Sequence, residues 1–432
     1  MRVNIEKSEM FTAVLESTIN KKIYHPITGL TNDSRQIQKG DLYIAMHGQY
    51  NDGHKFLDDV NEKGATAAIV QELNNRIDLQ QLQVLNTMET LKELATKWRK
   101  NFDIPIIAIT GSNGKTSSKD LLLHILSKDF KVHATKGNFN TAVGLCFTIF
   151  ELQSYHDLAI FELGASMPGE IKSLCEIAYP THGLITNIAP AHLEGFGGIE
   201  GVFKGKMELF DFVCSSEGHV FYPYDEQRID APLSNYTQKT TFGLDTVANF
   251  SMPIRTQNDV LTLWQKNQML DFQLKGAFNR NNIVGAACIA DHFGIMAENY
   301  LPPLLSYNPS NNRSQYLQKN QATVVLDAYN ANPSSMRASI EGFMARSGDK
   351  ILILGEMKEL GTFSKDEHQR LVNFVQSLPV SLALFYGQEF STCELDVTQQ
   401  LVKDKNELHR IFADKTQKEC SILIKGSRSC RL

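Results

Sequence analysis

Apolar residues along this chain gather in short unbroken runs, and stretches of helical period separate one run from the next. Ile106-Ile107-Ala108-Ile109 and Leu158-Ala159-Ile160-Phe161 are apolar throughout, and Leu184-Ile185-Thr186-Asn187-Ile188 carries three branched apolar residues around Thr186 and Asn187. Such runs predict parallel strands buried on both faces. Helical patterns lie between them, one of them over Ser117–Ser127, and this alternation predicts a parallel sheet covered by helices. Before Ile106 the pattern is finer. Asp41–Met46 and Ala65–Val70 read as strands, Phe56–Lys63 as a helix, and Leu91–Lys100 as a helix leading into the next region. Residues 258–275 alternate polar and apolar around Lys266-Asn267-Gln268, which predicts a hairpin. A helix over Asn279–His292 follows.

Pro302-Pro303 and the polar stretch Asn308–Ser314 read as a linker. Beyond it, strands are expected at Val324–Leu326, Ile351–Leu354, Leu382–Phe385 and Ile422–Ile424. Helices are expected over Pro333–Arg346 and His368–Gln376, giving a second, smaller parallel unit.

One loop between a buried strand and a helix carries specific chemistry. It reads Thr110-Gly111-Ser112-Asn113-Gly114-Lys115-Thr116, followed by Ser117. Glycines let backbone N–H groups approach phosphate oxygens, and a helix N-terminus favours negative charge. Lys115 can reach terminal phosphates and the Thr116 hydroxyl can ligate Mg²⁺. The general pattern has a further glycine where this chain has Ile109, so the match is to a shorter GxxGKT form. Glu162 ends the next apolar run. It is either a metal ligand at a strand's C-terminal end or a solvated strand terminus. His192 and Lys206, taken alone, are open to a structural or a chemical role.

Composition narrows the class. The chain has 432 residues, a length suited to two to four domains. A net charge of −5 gives no basic surface for nucleic acid. Seven cysteines stand apart without a CxxC pair, as reduced thiols of a cytoplasmic protein would. No apolar run is long enough for a signal peptide or a spanning helix.

Together the motifs resemble the Mur ligases over nearly the whole chain. The carrying segments are NDSRQIQKGDLYIAMHGQYNDGHKF, AITGSNGKT, TKGNFN, ELGASMPGEI, TNIAPAHLEGFGG, GKMELF, GAFNRNNIVGAA, LDAYNANPSSM, LGEMKELG and IKGSRS. ITGSNGKT is shared with folylpolyglutamate synthases. ELGASMPGEI, AHLEGF and DAYNANP are similar to the family member that adds a dipeptide, and the DNPR motif of the diamino-acid-adding member is missing. Another amide ligase of this group, or a non-catalytic nucleotide-binding protein on the same fold, remains the alternative. Two departures stand out: Asn312 precedes Arg313 where relatives have glycine, and GNFNTAVG replaces GNxNNxxG.

The resemblance implies an α/β protein of three domains. These are an N-terminal α/β UDP-binding domain (1–98), a central parallel-sheet P-loop ATPase domain (99–305) and a C-terminal Rossmann-like α/β domain (306–432). It implies ATP-dependent joining of D-alanyl-D-alanine to UDP-N-acetylmuramoyl-tripeptide in cell-wall synthesis. Gly111, Ser112, Asn113, Gly114, Lys115, Thr116, Ser117, Asn279, Asn282, Arg313 and Asp327 would hold ATP. Ser34, Arg35, Asn138, Asn330 and Asn332 would serve the substrates. Thr116, Glu162, His192 and Lys206 would bind two Mg²⁺ ions, with Lys206 as a CO₂-derived carbamate, and Lys115, His192 and Lys206 would be catalytic. The expected partners are those small molecules, with no nucleic acid, no membrane span and a monomeric cytoplasmic state.

Overall fold

A computed structural model describes residues 1–48, 51–309, 313–430 and 432. Asn312, one of the two departures noted above, and Ser310 and Asn311 beside it lie outside the described residues, as do Gln49 and Tyr50 of the first motif. The chain divides into two compact units. The first holds residues 1–108, 130–164 and 171–182, and the second holds 109–129, 165–170 and 183–432.

The first unit opens with a five-stranded sheet. Its order is Arg2–Asn4, Gly29–Thr31, Asp41–Ile44, Ala67–Val70 and Gln80–Gln83. The first pair is antiparallel and the others are parallel. Trp98, on the helix Thr87–Arg99, packs edge-on against Phe11, and Phe11 packs edge-on against Phe150. These rings join three helices into one apolar core. Buried Arg99 then donates to the carbonyls of Phe102, Ile104 and Ala178, which fixes the chain as it enters the strand Ile106–Thr110.

Seven strands form the central sheet, and every register described in it is parallel. In the first unit Val132–Ala134 pairs with Leu158–Glu162. In the second the order runs from Phe250–Ser251 through Lys239–Gly243 and His219–Pro223 to His182–Ile185. That last strand ends earlier than the run Leu184–Ile188 predicts. Thr186 still donates its N–H to the Thr110 carbonyl, and past it the side chains of Thr186 and Asn187 bond the glycine loop. The predicted hairpin forms as Val260–Gln265 and Gln268–Asp271, turning at Lys266 and Asn267 with φ of 48° and 62°. Two positive-φ residues are what a two-residue hairpin turn needs. A third strand, Ile254–Gln257, adds antiparallel to it.

Pro302 and Pro303 lie inside the helix Ala297–Ser306 and not in a linker. Burial of Tyr300, Leu301 and Leu304 on that helix outweighs the two missing N–H donors. The C-terminal sheet has six strands, ordered Gln315–Lys319, Ala322–Asp327, Ser421–Lys425, Lys350–Gly355, Leu382–Tyr386 and Gln399–Val402. Only its first pair is antiparallel. Among the described residues no helix is long and apolar enough to cross a membrane.

His133 gives the first unit a pH dependence. It is 7% exposed and its Nε2 lies 2.7 Å from the Thr148 carbonyl. Burial pulls its pKa down to about 4. An unfolded imidazole takes a proton near pH ~6.5, so between there and about 4 the unfolded chain binds more protons than the folded one. Stability is therefore lost as pH falls through that window, by on the order of 3 kcal/mol. His133→Gln should flatten the slope of melting temperature against pH; equal slopes in mutant and wild type would refute the assignment.

Candidate active site

The glycine loop sits between the strand Ile106–Thr110 and the helix Lys115–Leu126. Gly111 has φ +145° and Gly114 φ +79°, both in the region that disfavours side chains. A Cβ on Gly111 would collide with Thr186 Oγ1, and one on Gly114 with Asn282 Oδ1. The loop is thus pressed against its neighbours on both sides, which only glycine permits.

Local hydrogen bonds set the loop's shape. Ser112 and Asn113 donate their backbone N–H groups to the carbonyl and side chain of Asn187. Thr186 Oγ1 donates to the Asn113 carbonyl at 2.5 Å. The Ser112 hydroxyl donates to the Ala189 carbonyl at 2.6 Å. The first helical turn, Lys115 to Ser117, presents the positive end of the helix, the part of the loop suited to an anion. Lys115 Nζ donates to Gly111 O at 2.6 Å, so its ammonium lies across the loop.

Behind the loop runs a chain of amides. Ser118 Oγ donates to Asn282 Oδ1, Asn282 Nδ2 to Asn279 Oδ1, and Asn279 Nδ2 to Lys275 O. Both asparagines are buried. The loop is also clasped from the C-terminal sequence. Asn332 Nδ2 donates to Asn113 Oδ1 at 2.8 Å, and Asn113 Nδ2 donates to Ser334 Oγ at 2.8 Å. Asn332 caps the helix Pro333–Met344 by a reciprocal box with Ser335.

Lys206 lies on the helix Ile199–Ser215 and is 1% exposed. Its Nζ sits 5.3 Å from the centre of the Phe196 ring. Burial first, and the charge of Lys115 second, bring its pKa down to about 7. Its neutral form is thereby favoured far more than in an exposed lysine. His192 begins the helix Leu193–Phe196 with φ +50°. Its Nδ1 pairs with the Glu359 carboxylate, which this contact holds below the usual glutamate range.

Arg313 stacks its guanidinium 3.7 Å from the centre of the Tyr329 ring. Asp327 accepts from Lys425 Nζ at 2.6 Å, from Ser339 Oγ at 3.0 Å and from the Ser314 N–H at 3.2 Å. It thereby anchors the strand end that carries Tyr329 and the chain beside Arg313. Asn330 turns its Oδ1 onto the Ala331 N–H, and its carbonyl faces Lys425.

Four predicted residues belong to the first unit. Glu162 is buried at the end of its strand and accepts from Asn140 Nδ2 at 2.8 Å. Asn138 is exposed. Ser34 is buried at the start of a short turn, while exposed Arg35 pairs with Asp33 at 2.8 Å and holds that carboxyl down to about 2. A cluster of His47, Asp52 and His54 also occurs there. Its His54 is already engaged: Nδ1 faces Asp52 at 2.8 Å and Nε2 accepts from the Gln71 N–H at 2.9 Å.

Sequence reasoning missed Asn140, Asn187, Ser334, Glu359 and Lys425. Each lies inside a quoted motif, but what each touches comes from elsewhere in the chain.

The donor set suits the groups that the resemblance implies. In the second unit Thr116 offers a hard oxygen donor for Mg²⁺ and the loop a helix terminus for phosphate; in the first, Glu162 offers a carboxylate of the same chemistry. Lys206 offers no oxygen of its own, so the role that the resemblance implies for it at a metal would require the carbamate that the resemblance also implies.

Three family models match the chain. The Mur ligase family catalytic domain covers residues 26–99, the Mur ligase middle domain 109–290, and the Mur ligase glutamate ligase domain 312–428. A UDP-N-acetylmuramoyl-tripeptide–D-alanyl-D-alanine ligase of Rickettsia prowazekii is 31% identical over 417 residues, covering 93% of this chain and 92% of its own. One of Bacillus subtilis is 28% identical, covering 94% and 92%. Among solved structures, MurF from Acinetobacter baumannii superposes with a TM-score of 0.89 at 27% identity, over 97% of this chain and 96% of that one. MurF ligase from Thermotoga maritima in complex with ADP gives 0.83 at 26%, over 93% and 94%.

Proposed function

Since this chain belongs to the Mur ligase family, we propose that the residues around Lys115 and Lys206 form its ligation site. The enzyme is an ATP-dependent ligase that joins D-alanyl-D-alanine to UDP-N-acetylmuramoyl-tripeptide in peptidoglycan synthesis. What supports this reading most is one coincidence. Similarity to relatives of that activity spans over nine-tenths of the chain, which also keeps a glycine-shaped phosphate loop and a buried, desolvated lysine beside it.

A carboxylate is a poor electrophile, so an amide forms from it only after activation. ATP supplies that activation, as the peptide's terminal carboxylate oxygen attacks the γ-phosphorus and ADP leaves. The amine of D-alanyl-D-alanine then adds to the acyl carbon, loses a proton, and expels phosphate. The protein's contribution is placement and charge. Lys115 and the first turn of its helix hold the terminal phosphates. Asn279 and Asn282 line the adenine side, and Arg313, with Asp327 fixing its neighbourhood, reaches ATP from the C-terminal sequence. Thr116, Glu162, His192 and a carbamate on Lys206 would hold Mg²⁺, and a bound cation would supply charge neutralisation for the phosphoryl group. Ser34 and Arg35 would take the UDP portion, and Asn138, Asn330 and Asn332 would serve the substrates, Asn332 from its place against the glycine loop. The working domains are 1–98, 99–305 and 306–432. The reading also takes the enzyme as a monomer acting in the cytoplasm, where ATP is available.

Phosphate release tests the reading. Release is expected with ATP, UDP-N-acetylmuramoyl-tripeptide and D-alanyl-D-alanine together. Equal release without the dipeptide, or with a single amino acid in its place, would refute it.

A further inference from the structure

Glu359 faces His192 through a contact that both chain segments are bent to make. His192 has φ +50° and Glu359 φ +63°, both in the left-handed region that non-glycine residues seldom enter. Next to them, a Cβ on Gly361 would come 2.8 Å from Glu194 Cγ, so the approach depends on glycine there. The Glu194 N–H points at the Glu359 carbonyl at 3.5 Å. His192 lies within the match to the middle domain, and Glu359 within the match to the glutamate ligase domain. Two strained residues and one obligatory glycine are what a surface ion pair formed by chance would lack.

A carboxylate only accepts hydrogen bonds, so the ring nitrogen facing it must be the donor. The carboxylate meets Nδ1. Ser166 Oγ, 3.4 Å from the same nitrogen, can accept as well. In a neutral imidazole with Nδ1–H, the lone pair is on Nε2.

We propose that Glu359 is a positioning residue: its carboxylate fixes His192 as the Nδ1–H tautomer and presents Nε2 to a divalent cation. This rests on the reading of His192 as a metal-site residue. A histidine that binds a metal through one nitrogen commonly donates from the other to a carboxylate, which fixes the ring and strengthens the ligand. Here that carboxylate comes from the other matched domain, so the cation site is completed only while the Glu359–Gly361 segment rests on the His192–Glu194 loop.

Two measurements on the full chain separate the proposal from the reading beneath it. The first needs no metal. With selective ¹⁵N-histidine labelling in alkaline buffer, and His192→Gln to assign the signals, wild-type His192 should show Nδ1–H and a bare Nε2. Glu359→Gln keeps an acceptor and should hold that tautomer, while Glu359→Ala should move the population toward Nε2–H. Unchanged His192 shifts in Glu359→Ala, or an Nε2–H ring in the wild type, would overturn the proposal. The Glu359 side chain is 57% exposed, so its removal leaves no buried void.

The second measurement is Mn²⁺ binding beside a non-hydrolysable ATP analogue, followed by electron paramagnetic resonance. Glu359→Ala should weaken one class of site by about 10- to 100-fold, and Glu359→Gln by less. His192→Ala should weaken the same class. Undiminished binding in His192→Ala would sink the metal reading alone, leaving the tautomer result to judge Glu359. Weakened binding in His192→Ala with wild-type affinity in Glu359→Ala would overturn the role of Glu359 at the cation.

Discussion

Lys115→Ala should lose at least about a thousandfold in kcat/KM while melting where the wild type does. Lys115 Nζ donates to the Gly111 carbonyl, but the loop has many other supports. Thr186, Asn187 and Ala189 hold it from one side, and Asn332 and Ser334 from the other. Gly111 and Gly114 take their positive φ values whatever stands at position 115. Alanine is also a good residue for a first helical turn. What disappears is the cation over the terminal phosphates, and with it charge stabilisation that no other residue of the loop supplies. Steady-state kinetics and a thermal melt decide the matter together. Turnover within about tenfold of wild type in a protein with an unshifted melt would remove Lys115 from the mechanism.

Lys206→Ala should be nearly inactive as well, and the manner of its rescue is the stronger test. The wild-type amine is buried and brought down to about 7, which favours its neutral form. On the proposed reading its nitrogen would add to the carbon of CO₂ and release a proton, putting an anion with two oxygen donors where an ammonium would otherwise stand. If that anion is the working form, a short carboxylic acid entering the cavity left by the mutation should restore part of the rate. An alkylamine of similar size should restore nothing. If the ammonium were the working form, the two additives would exchange roles. Rescue by amine alone therefore excludes the carbamate.

The phosphate loop was legible because everything that defines it is local: a β-branched strand, two glycines and a helix start within a dozen or so residues. The three-layer pattern of the central region was legible for the same reason, since fully buried strands announce themselves as apolar runs. Failures occurred where partners distant in sequence decide the outcome. Leu184 to Ile188 looks like one strand, but the side chains of Thr186 and Asn187 bind the loop. Pro302 and Pro303 look like a break, yet packing carries the helix through them. The edge strands Arg2–Asn4 and Ile254–Gln257 are too short or too polar to show a period. Glu359 reads as one more charged residue, and nothing in LGEMKELG says that it meets His192.

The clasp on Asn113 also bears on how the protein ages. Asn113-Gly114 is the only Asn-Gly pair in the chain, and such a pair is chemically labile, because the glycine nitrogen can attack the side-chain amide and expel ammonia. Here the amide is occupied at both ends, by Asn332 and by Ser334. A preparation in which those two residues stay in place is protected against that loss. One in which they come away ages, through a cyclic imide that water opens at either carbonyl, into aspartate or isoaspartate at position 113, and a new carboxylate there would repel a bound nucleotide.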